Sequence, residues 1–105
     1  MVSKKSDTNP RDKKADAEYI LRLYITGTSP NSVKAIQNVR SICEQYLKDR
    51  YSLEIIDVYQ QAERARQDQI VALPLLIKKS PLPERRLIGD MSETSKVLRG
   101  LGLQS

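Results

Sequence analysis

The stretch from Tyr19 to Leu47 limits the possible folds more than any other part of the chain. Tyr19-Ile20-Leu21-Arg22-Leu23-Tyr24-Ile25-Thr26 is a nearly continuous run of β-favouring residues broken only by Arg22. Such a run suits a strand covered on both faces. Gly27 and Thr28 turn the chain, and Ser29-Pro30 begin a helix. A hydroxyl there accepts a hydrogen bond from a free helical N–H, and a proline at the first helical position gives up no donor that the helix needs. Helical spacing predicts an apolar stripe of Val33, Ile36, Val39, Cys43, Tyr46 and Leu47, with Lys34, Gln37, Asn38, Arg40, Ser41, Glu44 and Lys48 facing solvent. A buried strand leading into a capped amphipathic helix opens a βαβ unit.

The remainder of the chain continues that unit. Tyr51 to Tyr59 reads as a second strand, parallel to the first through a right-handed crossover. Gln60 to Leu73 is rich in helix formers but has a thin apolar stripe until Ile70, Val71 and Leu73. Pro74 imposes an extended residue before it, and Leu75-Leu76-Ile77 is a short strand. Pro81-Leu82-Pro83 makes a stiff turn into Arg85-Arg86-Leu87-Ile88, which Gly89-Asp90 ends. Ser92 is the expected cap of a last helix carrying Val97, Leu98 and Leu101, with Gly100 and Gly102 weakening its end. The order is βαβαββα: an α/β domain of thioredoxin-like layout over residues 19–102, with a disordered charged arm at 1–18 and a short tail at 103–105.

Composition narrows the chemistry. Eighteen Lys and Arg against thirteen Asp and Glu give a net charge of +5, which favours acidic partners. The charges are scattered rather than striped, so an acidic protein surface suits the chain better than nucleic acid. The arm carries nine charges of mixed sign and no apolar periodicity, which describes a solvated leader. No apolar run is long enough to span a bilayer, and the N-terminus lacks the apolar centre of a signal peptide, so the expectation is a cytoplasmic protein without membrane contact. The absence of histidine removes the usual general base and the usual zinc ligand. Gly27 opens no phosphate-cradling motif. The chain is therefore read as a non-enzyme with neither cofactor nor metal. Cys43, the single cysteine, invites a thiol-oxidoreductase alternative. Thioredoxin chemistry needs a thiolate at a helix N-terminus, however, and Thr28-Ser29-Pro30-Asn31-Ser32 occupies that place while Cys43 lies mid-helix on the apolar stripe. Arg22 must reach an edge, pair with an acid or face a partner, because an unpaired buried guanidinium is costly. Lys34 just past the helix start, and Arg85 and Arg86 just past the stiff turn, complete the candidate partner-binding residues.

Leu23-Tyr24-Ile25-Thr26-Gly27-Thr28-Ser29-Pro30-Asn31-Ser32-Val33-Lys34-Ala35 resembles the Leu-Tyr-Val-Ala-Gly-x-Thr-Pro-Asn-Ser-Val-Arg-Ala opening of the KaiB family. The likeness continues in order and spacing through Ile55-Ile56-Asp57-Val58, Asp68-x-Ile70, Pro74-Leu75, Arg85-Arg86-x-Ile88-Gly89-Asp90 and Lys96-Val97-Leu98-x-Gly100-Leu101. Departures include Gln61-Ala62 near a family Asn-Pro, Leu73 for a Thr, and Gly102 for an Asp. The resemblance implies a partner of a KaiC-like ATPase ring that modulates its phosphorylation and ATPase cycle in clock-like timing or stress adaptation. It also implies two folds: a homo-oligomeric ground state, tetramer or dimer, ordered βαββααβ, and a thioredoxin-like monomer that binds the ring. A stand-alone copy of the sensor domain of KaiC-binding histidine kinases is the rival within the same class. Lys34 matches a family Arg, and Arg85 and Arg86 match a family basic pair. Pro74, Gly100 and Gly102 lie in the rearranging half and are read as setting the fold balance. Glycine in a final helical turn is about 1 kcal/mol worse than alanine, so Gly100→Ala is expected to favour the helical form.

Overall fold

The structure, a computed structural model, describes residues 17–103. The charged arm expected over 1–18 lies outside the described residues except for Ala17 and Glu18, as do Gln104 and Ser105. In chain order the elements are β1 (Tyr19–Ile25), α1 (Pro30–Tyr46), β2 (Tyr51–Asp57), α2 (Ala62–Gln67), β3 (Leu75–Ser80), β4 (Arg85–Ile88) and α3 (Thr94–Leu101). The sheet order is β2-β1-β3-β4. β2 runs parallel to β1, and β3 and β4 are each antiparallel to the preceding neighbour in the sheet. This is the βαβαββα layout that the sequence predicts.

β1 is central because its side chains supply both cores. Tyr19, Leu21, Leu23 and Ile25 enter one cluster with Val39 and Cys43 of α1 and Val97, Leu98 and Leu101 of α3. Tyr24 enters the other with Ile56, Leu75 and Ile77, which Ala65 and Ile70 cover from the α2 side. A period of two along the strand produces this division. It explains why β1 reads as a continuous apolar run and why Arg22 falls on the thinly covered α2 face.

The α1 stripe sits differently from its sequence reading. The buried residues are Ser32, Ala35, Val39, Ile42 and Cys43, with Leu47 at the cap, whereas Val33 and Tyr46 are exposed. Small Ser32 and Ala35 let the first turns approach β1 closely, and the Ser32 hydroxyl is satisfied there. It accepts from the Thr26 amide at 3.0 Å and donates to the Thr26 carbonyl at 3.3 Å. Those bonds take Thr26 out of the strand.

Three further boundaries shift. α2 is much shorter than the predicted helix through Leu73, because Gln69 adopts φ 55° and Ile70 N–H bonds back to the Ala65 carbonyl at 3.0 Å. This is a left-handed helix stop that delivers Ile70 to the core. Ser92 is not the cap of α3. Its amide donates to Asp90 Oδ1 at 3.0 Å, Met91 at φ 63° turns its side chain into the core, and Glu93 takes the cap position without a side-chain bond. The end of α3 is reinforced rather than weakened. Gly102 at φ 78° and the Leu103 amide bonded to the Leu98 carbonyl at 2.8 Å form a Schellman stop. Leu103, read as the start of the tail, packs against the core through that stop.

Gly100 has a packing role that spacing does not reveal. A Cβ there would lie 2.7 Å from both Leu87 Cδ atoms, so β4 approaches α3 through the missing side chain. The helical gain expected of alanine is thus opposed by overpacking, which costs about 1–3 kcal/mol. Gly100→Ala is predicted to lower the thermal midpoint, and adding Leu87→Ala should recover part of that loss, with a coupling of about 1 kcal/mol in a double-mutant cycle. An unchanged midpoint in the single variant would contradict this reading.

Candidate functional site

Two regions of the described chain bring chemistry-bearing groups together. The first is the end of the sheet where α1 begins. Ser29 Oγ accepts from the Ser32 amide at 3.2 Å, and the two hydroxyls are 2.8 Å apart. Pro74, after a cis bond, opens β3 nearby and accepts the Gly89 amide at 3.0 Å. A thioredoxin thiolate would need this helix start, and hydroxyls fill it. Cys43 is buried mid-helix, where desolvation, reinforced by Glu44, pushes its thiol up to about 12. A thiol held that high is protonated at neutral pH, whereas the nucleophile of thioredoxin chemistry is a thiolate.

The second region is the α2 face, organised by Asp68, whose side chain is 12% exposed. Arg22 Nη1 donates to Asp68 Oδ2 at 3.0 Å, and the Tyr24 hydroxyl donates to the same oxygen at 2.5 Å. Lys79 Nζ lies 3.5 Å from the other oxygen. Arg86 Nη2 donates to the Asp68 main-chain carbonyl at 2.6 Å and Nη1 to that of Gln69 at 3.4 Å. Burial alone would raise the Asp68 carboxyl, but the bonds from Tyr24 and Arg22 and the charges of Lys79 and Arg22 outweigh it and hold the group below its usual range. Tyr24 moves the opposite way, to about 12, through burial and then its bond to Asp68. Further out, Arg64 Nη2 donates to Glu54 Oε1 at 2.8 Å, fastening α2 to β2.

The candidate residues named from sequence separate in space. Arg22 and Arg86 meet around Asp68 and hold the segment after α2. Arg86 is therefore wired into the fold, unlike its neighbour. Arg85 lies on the opposite face, because adjacent residues of a strand alternate, and it sits beside Leu87 and Gly100 over α3. The two arginines are not one basic patch. Lys34 is exposed on α1; its charge assists the Ser92 bonds in lowering the Asp90 carboxyl. Pro74 and Gly100 hold strand and helix contacts, and Gly102 is a left-handed stop. Asp68 appears in the sequence only within the Asp68-x-Ile70 fragment. The surplus of cations on the matching face, at Arg22, Lys79 and Arg86, was the signal that an acid must lie opposite. Among the described residues no group of His, Cys, Asp and Glu could hold a metal ion, and no helix is long and apolar enough to cross a membrane.

Asp68→Asn is predicted to cost about 2–4 kcal/mol, as removal of one partner of a partly buried network does. The pH dependence follows from its depressed folded pKa. The stabilisation is present in full at neutral pH and is lost as pH falls through the unfolded value of about 3.9 toward the lower folded one. Acid titration of urea midpoints should show a shallower acid limb in the Asn variant than in the parent. Parallel limbs would remove Asp68 from this role.

Comparison with known proteins agrees with this geometry. The sequence profile of the KaiB domain matches residues 22–103. The circadian clock protein KaiB3 of Synechocystis is 52% identical over 84 residues, covering 80% of this chain and 82% of that protein. The circadian clock oscillator protein KaiB of Prochlorococcus marinus strain MIT 9312 is 48% identical over 85 residues, covering 81% of each chain. In structure, the Drosophila melanogaster thioredoxin Deadhead superposes with TM-score 0.70 at 14% identity, over 91% of this chain and 90% of that one. The N-terminal domain of Synechococcus elongatus SasA superposes with TM-score 0.65 at 21% identity, over 100% and 95%. The two structural likenesses show a thioredoxin-like fold; the profile and the sequence relatives show more, namely that the chain belongs to the KaiB family.

Proposed function

We propose that this KaiB-family chain acts in the cytoplasm as a non-enzymatic partner of a KaiC-type ATPase ring and modulates the ring's phosphorylation and ATPase cycle. The working unit is the domain from Tyr19 to about Leu103. The observation that carries this reading is a thioredoxin-like frame emptied of thioredoxin chemistry: serine hydroxyls stand at the α1 start and the one thiol is buried and protonated. Such a frame can offer surfaces, and the family offers the partner.

The α2 region supports a second arrangement of the same chain. α2 buries no residue fully, and its hold on the sheet is largely ionic. Segments held by few apolar contacts open at the low end of the stability range. We assign the free state to a homo-oligomer, tetramer or dimer, with the βαββααβ order and the ring-bound state to the arrangement described above. Lys34 and Arg85 serve as contact residues, whereas Arg22 and Arg86 shape the surface through Asp68.

Light scattering on a sizing column, for the chain alone and with a KaiC-type ring plus ATP, tests the proposal. Co-elution with the ring supports it, and absence of any complex overturns it. Arg85→Glu should weaken ring binding more than tenfold with circular dichroism unchanged, as charge reversal at a complementary interface does. Arg86→Glu should weaken binding and also lower the thermal midpoint, because its guanidinium holds the Asp68 carbonyl. Cys43→Ala should bind the ring normally and cost about 1 kcal/mol in stability. Insulin reduction abolished by Cys43→Ser would instead revive the oxidoreductase reading.

A further inference from the structure

Four cations crowd the face between β4 and α3. Arg85, Lys96 and Arg99 line an open cleft of about 350 Å³ with Leu87 and Gly100. Lys78 stands directly across the ladder from Arg85. None of the four side chains makes a hydrogen bond or ion pair with another described residue, whereas Arg22, Arg50, Arg64, Arg66, Lys79 and Arg86 each have a carboxylate. α3 itself, Thr94–Leu101, contains no acid.

Lys78 makes the arrangement unusual. It is 5% exposed, and its Nζ lies beneath the end of α3, 3.9 Å from where a Cβ on Gly102 would sit. The helix dipole favours a cation there, but among the described residues no carbonyl accepts from it. Burial, and then the charge of Arg85, lower the ammonium below its usual range. Like charges directly opposite on neighbouring strands destabilise a sheet, and a buried charge without a partner is costly. The folded protein tolerates both at a single place.

We propose that this cleft binds a small phosphate-bearing anion, with Arg85 on one side, Lys96 and Arg99 on the other, Leu87 as an apolar floor, and buried Lys78 adding its charge from the neighbouring strand opposite Arg85. Cations on both walls of a short cleft suit the charge density of linked phosphates, and charge-assisted bonds from Arg and Lys are the usual means of holding them. A cleft at the lower end of ligand-pocket volumes has room for a small molecule. Linked phosphates come from inorganic polyphosphate or from a nucleotide, and the Leu87 floor separates the two, since only a nucleoside adds an apolar contact. The inference shares Arg85 with the proposed ring contact, and titrations of the chain without a ring test it separately.

The test is thermal melting and calorimetric titration of the full chain with tripolyphosphate, ATP and polyglutamate at constant ionic strength. Tripolyphosphate should bind one to one and raise the midpoint, as a ligand specific to the native state must. Tighter binding of ATP would assign the source to a nucleotide, and equal or weaker binding to inorganic phosphate. Lys78→Met should raise the midpoint without ligand, because a buried unpaired charge is gone, yet weaken tripolyphosphate binding about tenfold. Arg99→Gln, at an exposed position, should leave the ligand-free midpoint unchanged and weaken binding similarly. The proposal is overturned by absence of binding, by equal binding to both variants, or by polyglutamate matching tripolyphosphate. A Lys78→Met variant that melts lower without ligand and binds as the parent does would show Lys78 to be a helix-end counter-charge only.

Discussion

The carboxylate of Asp68 holds the segment that follows α2 against the sheet. β1, α1 and β2 form a βαβ unit whose side chains pack on both sides of the sheet with residues of β3 and α3. The segment after β2 has far less to bury, so its position depends on Asp68 receiving Arg22 and Tyr24 from β1 and Lys79 from β3. Arg86 reaches the same residue from β4 through its main-chain carbonyl. One short loop thereby ties three strands together. Ionic ties of this kind are part-buried and screened at their rim, so each contributes less than a fully buried pair would.

The two faces of the sheet use basic residues for opposite ends. On the α2 face the cations are neutralised within the fold, and their guanidinium groups act as internal braces. On the α3 face they are left unpaired around Leu87 and Gly100. The net charge of +5 therefore describes neither face. Strand alternation divides the Arg85-Arg86 dipeptide between them, which is why a neighbouring pair in sequence gives one structural residue and one available residue.

The thioredoxin-like frame carries serine hydroxyls, not a thiol, at the start of α1. Ser29 and Ser32 cap and anchor α1 where a redox protein places thiols, and their hydroxyls are consumed in holding Thr26 and the first helical turn. Hydroxyls at a helix start satisfy free amides at no cost in reactivity. The same position that is chemically active in one branch of the fold is mechanical in this one.

Local patterning determined much of this protein. The apolar run of β1, the Ser29-Pro30 helix start, the strand at Leu75 and the turn into Arg85 are all short-range signals, and each element stands where its residues place it. The family fragments were legible for the same reason. Tertiary structure decided what depends on distance: that Ser32 rather than Val33 faces the core, that Met91 turns inward and moves the α3 cap off Ser92, and that Gly100 makes room for Leu87. It also decided that Asp68 meets Arg22 across 46 residues. Periodicity names the face of an element but not the neighbour that covers it, and an ion pair between distant segments leaves no local trace beyond an unmatched charge in a strand.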